Sequence, residues 1–74
     1  MSPLPSLKPR QVVVALERAG FVVIRIVGSH YPVIQQRTRR HTTVPYHTRD
    51  LPRGTVAAIL RQAGLTRDDF LKLL

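Results

Sequence analysis

The stretch FVVIRIVGSHYPVIQQ, residues 21–36, decides the fold, because it holds two apolar runs separated by a glycine and a serine. β-Branched residues dominate both runs and favour strands. The stretch therefore predicts a strand over Phe21–Val27, with most of both faces covered, and a second strand over Tyr31–Gln35. Gly28-Ser29 is a turn or a bulge between them. Pro32 must occupy a position of the second strand that donates no ladder hydrogen bond.

A third strand is predicted immediately downstream. QRTRR, residues Gln36–Arg40, is polar and contains three arginines, which is typical of a hairpin loop. His41–Val44 then forms the strand, and Pro45 ends it. Tyr46–Pro52 follows as a loop. Sequential strands with such short connections form an antiparallel sheet.

The residues before the first strand predict a helix. Pro9 suits the first helical turn, where its missing N–H costs nothing. Val13 and Leu16 belong to an apolar stripe at helical spacing. Gly20 fits the position just past a helix end, where a positive φ is needed. The sequence therefore predicts a helix over Pro9–Ala19.

Two further helices are predicted after the third strand. Thr55–Ala63 carries apolar residues at helical spacing and is closed by Gly64. Thr66 caps a short last helix, with Asp68 and Asp69 in its first turn, where the helix dipole favours negative charge.

The predicted order is α-β-β-β-α with a small extra helix. This order indicates an α+β fold, a three-stranded antiparallel sheet with the helices packed on one face. We expect a single domain over residues 1–74, with residues 1–7 as an extended lead-in.

Charge is the strongest feature of the composition. Twelve Lys and Arg face four acidic residues, for a formal net charge of +8, and ten of the twelve are arginines. Arginine forks match phosphate oxygens in a bidentate way. We therefore expect an anionic partner, either a nucleic acid or an acidic protein.

Compartment and membrane signals are sparse. The sequence has no cysteine, which fits a reducing cytoplasm. The most apolar stretch, Val12–Val27, is too short and too charged to span a bilayer, and the N-terminus has no apolar signal-peptide core. The expected location is cytoplasmic, without a membrane.

Three histidines are the candidates for chemistry. His30, His41 and His47 lack metal-ligand spacing and have no carboxylate between them, so neither a zinc site nor another cofactor is predicted. Ser29 cannot form a dyad with His30, since strand neighbours point to opposite sides. RNA carries its own nucleophile, the 2′-OH, whose proton His30 could take while arginines hold the phosphate. The residues alone favour a simpler interpretation, in which His30 bonds backbone near a turn.

A resemblance adds to this picture. Five short motifs occur in order: Gly20-Phe21, Gly28-Ser29-His30, Val44-Pro45-Tyr46-His47, Gly54-Thr55 with Ile59-Leu60, and Ala63-Gly64-Leu65. From about Lys8 to the C-terminus the chain resembles the HicA family, small toxins of bacterial and archaeal toxin–antitoxin pairs.

The resemblance implies a fold similar to a double-stranded-RNA-binding domain and an mRNA interferase that needs no metal cofactor. It implies a HicB-like antitoxin that covers the active site, and it assigns the catalytic role to His30. Ser29 and the arginines on or between the predicted strands are expected to bind RNA: Arg25, Arg37, Arg39 and Arg40. The chain departs from many members at Tyr31, where they have a second histidine, and at Val27, where they have a basic residue.

Two other functions stay open. A non-catalytic RNA-binding module could use the same fold, because double-stranded RNA is recognised by shape through phosphate and 2′-OH contacts. A plain interaction protein could bind an acidic partner with its basic surface.

Overall fold

The computed structural model describes residues 4–74, and within them it confirms the predicted α+β order. Three helices and three strands follow one another as α1 (Pro9–Arg18), β1 (Phe21–Val23), β2 (His30–Gln35), β3 (His41–Pro45), α2 (Arg53–Ala63) and α3 (Arg67–Leu71). The strands form one antiparallel sheet in the order β1-β2-β3. No helix within residues 4–74 is long and apolar enough to cross a membrane.

The lead-in predicted for residues 1–7 is described only from Leu4 onward. Leu7 is almost fully buried and pairs with Leu51 as an isolated antiparallel bridge. The Leu51 N–H donates to the Leu7 carbonyl at 2.8 Å. The segment before α1 is therefore fixed to the loop that follows β3.

The helices pack on one face of the sheet. Val33 pairs with Val23 on one side and with Thr42 on the other, and Tyr31 pairs with Val44. Direct cross-strand partners share a face, so these residues form the face that meets the helices. The core includes Phe21, Ile59 and Leu60, all 5% exposed or less.

The opposite face of the sheet meets no helix and is here called the open face. Ile34 pairs with Val22 and with His41 on this side. By strand alternation, its members are Val22, Ile24, His30, Pro32, Ile34, His41, Thr43 and Pro45.

The first strand is shorter than predicted. The prediction ran from Phe21 to Val27, but the regular strand ends at Val23. The Ile24 N–H still donates to the Pro32 carbonyl at 2.9 Å. Pro32 has no N–H to return that bond, so the ladder weakens here, where β1 stops. Pro32 therefore occupies a position that donates no ladder hydrogen bond, as the sequence predicts.

A β-bulge follows the end of β1. Val23 pairs with Val33, but Val27 forms its bridge with His30. Val27 is four residues after Val23, but His30 is only three residues before Val33. One extra residue therefore lies between the end of β1 and the Gly28-Ser29 turn. The expectation that most of both faces of this segment are covered is wrong, because Ile24, Ile26 and Val27 are 56%, 60% and 51% exposed.

The helix ends follow the sequence signals closely. α1 ends at Arg18, with Ala19 as its cap, one residue before the predicted end. α2 begins at Arg53 rather than Thr55 and ends before Gly64, whose φ of 73° is left-handed. The Thr66 hydroxyl accepts the Asp69 N–H at 3.1 Å and caps α3 as predicted.

Candidate active site

Gly28 and Ser29 form a two-residue hairpin turn that leads into β2. The Val27 N–H donates to the His30 carbonyl at 3.0 Å, and the His30 N–H donates to the Val27 carbonyl at 2.9 Å. Gly28 has a φ of 56°, whereas Ser29 does not adopt a positive φ. Positive φ at the first central residue alone is the pattern of a type II′ turn, a common hairpin connection.

His30 is the first residue of β2 and its side chain is exposed. The backbone of His30, not its imidazole, makes the bonds to Val27. Its imidazole makes no hydrogen bond with any residue between 4 and 74. By its pairing with Pro45, His30 lies on the open face. The imidazole is therefore available to a bound molecule on that side of the sheet.

The loop after β3 returns beside the turn. The Tyr46 N–H donates to the Ser29 carbonyl at 2.6 Å. His47 follows directly, and its Nδ1 accepts the Arg49 N–H at 3.2 Å. We call residues 27–30, together with 46–49, the His30 end of the sheet. His47 and Arg49 belong to it, although the sequence did not single out Arg49, since loops carry no periodic signal.

Both long helices start at the His30 end. The Lys8 Nζ, just before α1, donates to the Thr48 carbonyl at 3.1 Å and pairs with Asp50. At the opposite end, the Thr42 hydroxyl donates to Gln62 near the end of α2, at 2.5 Å. Neither α1 nor α2 has an acidic residue in its first turn. Two helix N-termini therefore lie at this end, on the helix-facing side of the sheet, together with the carboxylate of Asp50.

The predicted RNA-binding arginines separate into two groups. Arg25 lies in the segment between the end of β1 and the Gly28-Ser29 turn. Arg37, Arg39 and Arg40 lie in the loop between β2 and β3, residues 36–40, here called the arginine loop. At a rise of about 3.4 Å per residue, the length of β2 puts this loop about 17 Å from His30.

Side-chain bonds shape the arginine loop. The Gln35 Oε1 accepts the N–H groups of Arg37 at 2.6 Å and Thr38 at 3.0 Å. Arg39 has a φ of 65°, in the left-handed region, where a residue with a Cβ costs about 1 kcal/mol more than glycine. The loop thus displays a cation at a position that glycine would occupy with less strain.

Arg40 has a different environment from the other two. Its guanidinium lies against Gly64, so that a Cβ placed there would be 2.7 Å from Nε of Arg40. Gly64 caps the C-terminus of α2, where the helix dipole favours a positive charge. Arg40 therefore has a structural role at the end of α2.

Charge is unevenly distributed between the layers. Residues 21–49, which include the whole sheet, contain five arginines and no acidic residue. The four acidic residues are Glu17, Asp50, Asp68 and Asp69, on the helices and the loop before α2. Within residues 4–74, no three His, Cys, Asp or Glu side chains are grouped as metal ligands would be.

Comparison with protein families gives one match. The family described as "HicA toxin of bacterial toxin-antitoxin" matches residues 9–65. This range starts with α1, includes all three strands and His30, and ends one residue past Gly64. No curated protein matches the chain.

Proposed function

The chain belongs to the HicA toxin family, and we propose that it is a metal-independent endoribonuclease that cleaves mRNA with His30 as general base or acid. Toxins of this family are generally ribonucleases. The observation that carries the proposal is the placement of His30. Its exposed imidazole lies on the open face, in a sheet layer whose residues 21–49 contain five arginines and no acidic residue.

The cleavage uses the nucleophile that RNA contains. The 2′-oxygen attacks the adjacent phosphorus, so that a bond forms between O2′ and phosphorus and the bond from phosphorus to O5′ breaks. The imidazole of His30 accepts the 2′-OH proton, and water protonates the departing 5′-oxygen. An imidazole suits this role because it exchanges protons near neutral pH. The products are a 2′,3′-cyclic phosphate and a 5′-hydroxyl.

Cations stabilise the charge that builds on the phosphate. Arg25 is the predicted arginine nearest to His30 along the chain, and we assign this role to its guanidinium. Arg37 and Arg39 lie about 17 Å away along β2. They bind phosphates further along the RNA and hold the chain on the protein.

A paired histidine experiment tests the proposal. His30→Ala should lower the rate of RNA cleavage by about 10²- to 10⁴-fold, the usual contribution of one proton-transfer group. His41→Ala is the matched control, since His41 is also an exposed strand end on the open face. It should cleave at close to the wild-type rate. Chelation with EDTA should leave wild-type cleavage unchanged.

The non-catalytic RNA-binding module is the competing function. It predicts that wild-type protein binds RNA without cleaving it. A His30→Ala protein that folds by circular dichroism and still cleaves RNA at the wild-type rate would remove His30 from the mechanism.

The partner we propose is a HicB-like antitoxin that covers the open face. This face is apolar at Ile24, which is 56% exposed, and at Val22, which is 41% exposed. An apolar centre with a charged rim is typical of protein interfaces. The acid-free sheet layer would attract an acidic rim and speed the encounter.

A pair of aspartate substitutions tests this docking surface. Ile24→Asp should weaken binding of the adjacent gene's product by about tenfold or more, as loss of a buried apolar anchor does. Leu74→Asp is the control, because Leu74 is a similarly exposed apolar residue that is not on the sheet. Equal affinity of both variants would place the antitoxin elsewhere. Failure of every neighbouring gene product to bind at low salt would count against the toxin function.

A further inference from the structure

Two tyrosines stack beneath the His30 end. The rings of Tyr31 and Tyr46 have centroids 4.0 Å apart and planes 14° from parallel. Both are partly buried and pack against the hydrophobic core. Tyr31 pairs with Val44 on the helix-facing side of the sheet, so the stack lies on the side opposite to His30.

Tyr46 contacts both chain neighbours of His30. Its N–H donates to the carbonyl of Ser29 at 2.6 Å, and its ring covers the ring of Tyr31. Ser29 precedes His30 and Tyr31 follows it. The backbone of His30 is therefore held on both sides by one residue of the loop after β3.

This support matters because β1 provides little of it. The bulge interrupts the ladder between Val23 and Val27, so only an isolated bridge joins His30 to that chain. On the other side His30 pairs with Pro45, which has no N–H to donate, so the ladder with β3 extends past His30 only through the bond from Tyr46 to Ser29. Without Tyr46, the start of β2 would be held less firmly and the imidazole would move with it.

From these contacts we infer that the stack of Tyr31 on Tyr46 is a positioning device for His30, an inference that rests on the proposed ribonuclease function. The stacked aromatic rings hold the backbone of His30 in position, and the hydroxyl groups do not contribute to this role. Neighbouring side chains on a strand point to opposite faces. The Tyr31 hydroxyl therefore does not share the open face with the imidazole and takes no part in proton transfer there.

Substitutions at Tyr46 test the device. Tyr46→Leu keeps apolar volume but removes the stack, and Tyr46→Phe keeps the stack but removes the hydroxyl. Misplacement of a catalytic group lowers the rate rather than substrate binding, so Tyr46→Leu should lower kcat by about 10- to 100-fold. Its KM should change little, and Tyr46→Phe should retain wild-type kcat. Tyr31→Leu removes the other ring of the stack and should lower kcat to a similar degree.

A second measurement does not depend on activity. Hydrogen exchange of the His30 amide should accelerate in Tyr46→Leu and Tyr31→Leu, whereas the Leu16 amide in the buried part of α1 should exchange as in wild type. If wild-type protein does not cleave RNA, the proposed function fails, and the exchange rates alone decide whether the stack holds His30.

Three results would overturn the inference. One is wild-type kcat together with wild-type His30 exchange in both leucine variants. Another is a loss in Tyr46→Phe equal to that in Tyr46→Leu, which would assign the effect to the hydroxyl. The third is acceleration of Leu16 exchange to the same degree as His30, which would show a general loss of stability.

Discussion

The two ends of β2 are built in different ways. At the His30 end, backbone bonds to Val27 and the loop after β3 fix the chain, and a tyrosine stack supports it from below. In the arginine loop, the Gln35 side chain shapes the turn and exposed cations extend from it. One end fixes the backbone that carries a single histidine, and the other displays charge.

This difference separates the requirements of catalysis from those of binding. Proton transfer needs a group within hydrogen-bond reach of its substrate atom, which a well-fixed strand end can provide. Phosphate attraction tolerates much looser placement, because charge acts over a Debye length of about 8 Å at physiological ionic strength. The arginine loop can therefore contribute affinity from a distance at which it cannot contribute to the chemical step.

The largest expected effect is a loss of stability, which disrupts both ends of β2 together. Leu60 is 5% exposed and lies on α2 in the core beneath the sheet. Leu60→Ala should lower the free energy of unfolding by about 2–5 kcal/mol, from lost burial and the cavity left behind. Urea unfolding measures this loss.

The control for that variant is Leu74→Ala, at an exposed position. It should change the free energy of unfolding by no more than about 0.5 kcal/mol. An unchanged unfolding midpoint in Leu60→Ala would contradict the assignment of the core that supports both ends.

An intermediate effect, on RNA affinity, is expected from substitutions in the arginine loop. If roughly four to six phosphates are neutralised, log affinity for single-stranded RNA should fall with log salt at about 0.7 per contact. Replacing Arg37 and Arg39 together with glutamine should reduce that slope by about 1.4 and weaken binding. Titrations at several salt concentrations measure it. An affinity of wild-type protein that does not change with salt would rule out phosphate binding by this surface.

The smallest expected effect is a change in stability from a substitution in the Gly28-Ser29 turn at the His30 end. A Cβ at Gly28 would meet nothing within 4 Å, but its φ is 56°. Gly28→Ala should therefore destabilise the protein by about 1 kcal/mol through the backbone alone. Gly54 also has open space around it, but it has no positive φ and lies in α2.

Gly54→Ala is thus the matched control for the turn. It should stabilise the protein by about 0.5–1 kcal/mol, because alanine is the better helix residue. Thermal unfolding of both variants gives the comparison. Shifts of the same sign would show that backbone conformation does not distinguish these glycines.

Local signals in the sequence predicted the helices and turns well. Gly64 and Thr66 mark their helix boundaries because each residue type satisfies a specific backbone need. The apolar stripe of α1 followed from helical spacing, since its members Val13 and Leu16 are buried. These features depend on neighbours within a few positions, which a single sequence contains.

The extent of β1 could not be predicted in the same way. Ile24, Ile26 and Val27 have the composition of a buried strand, yet they are more than half exposed. Apolar composition does not distinguish a core face from a face that a partner covers. The regular strand stops opposite Pro32 of the neighbouring strand, and no pattern within residues 21–27 reveals this.

The candidate site was predicted in part. The sequence indicated His30 and the arginines as separate features, and their roles remain predictions. It also put the arginine loop after the second strand, away from His30. It did not reveal that the loop containing His47 and Arg49 returns to Ser29, which follows from the contact between Tyr46 and Ser29.

The most direct test of the division between the two ends is a single assay on two variants. RNA affinity and the single-turnover cleavage rate at saturating protein would be measured for His30→Ala and for the double variant Arg37→Gln/Arg39→Gln. We predict that His30→Ala keeps its affinity and loses the rate, whereas the double variant loses affinity and keeps the saturated rate. A double variant whose saturated rate falls as far as that of His30→Ala would contradict the account.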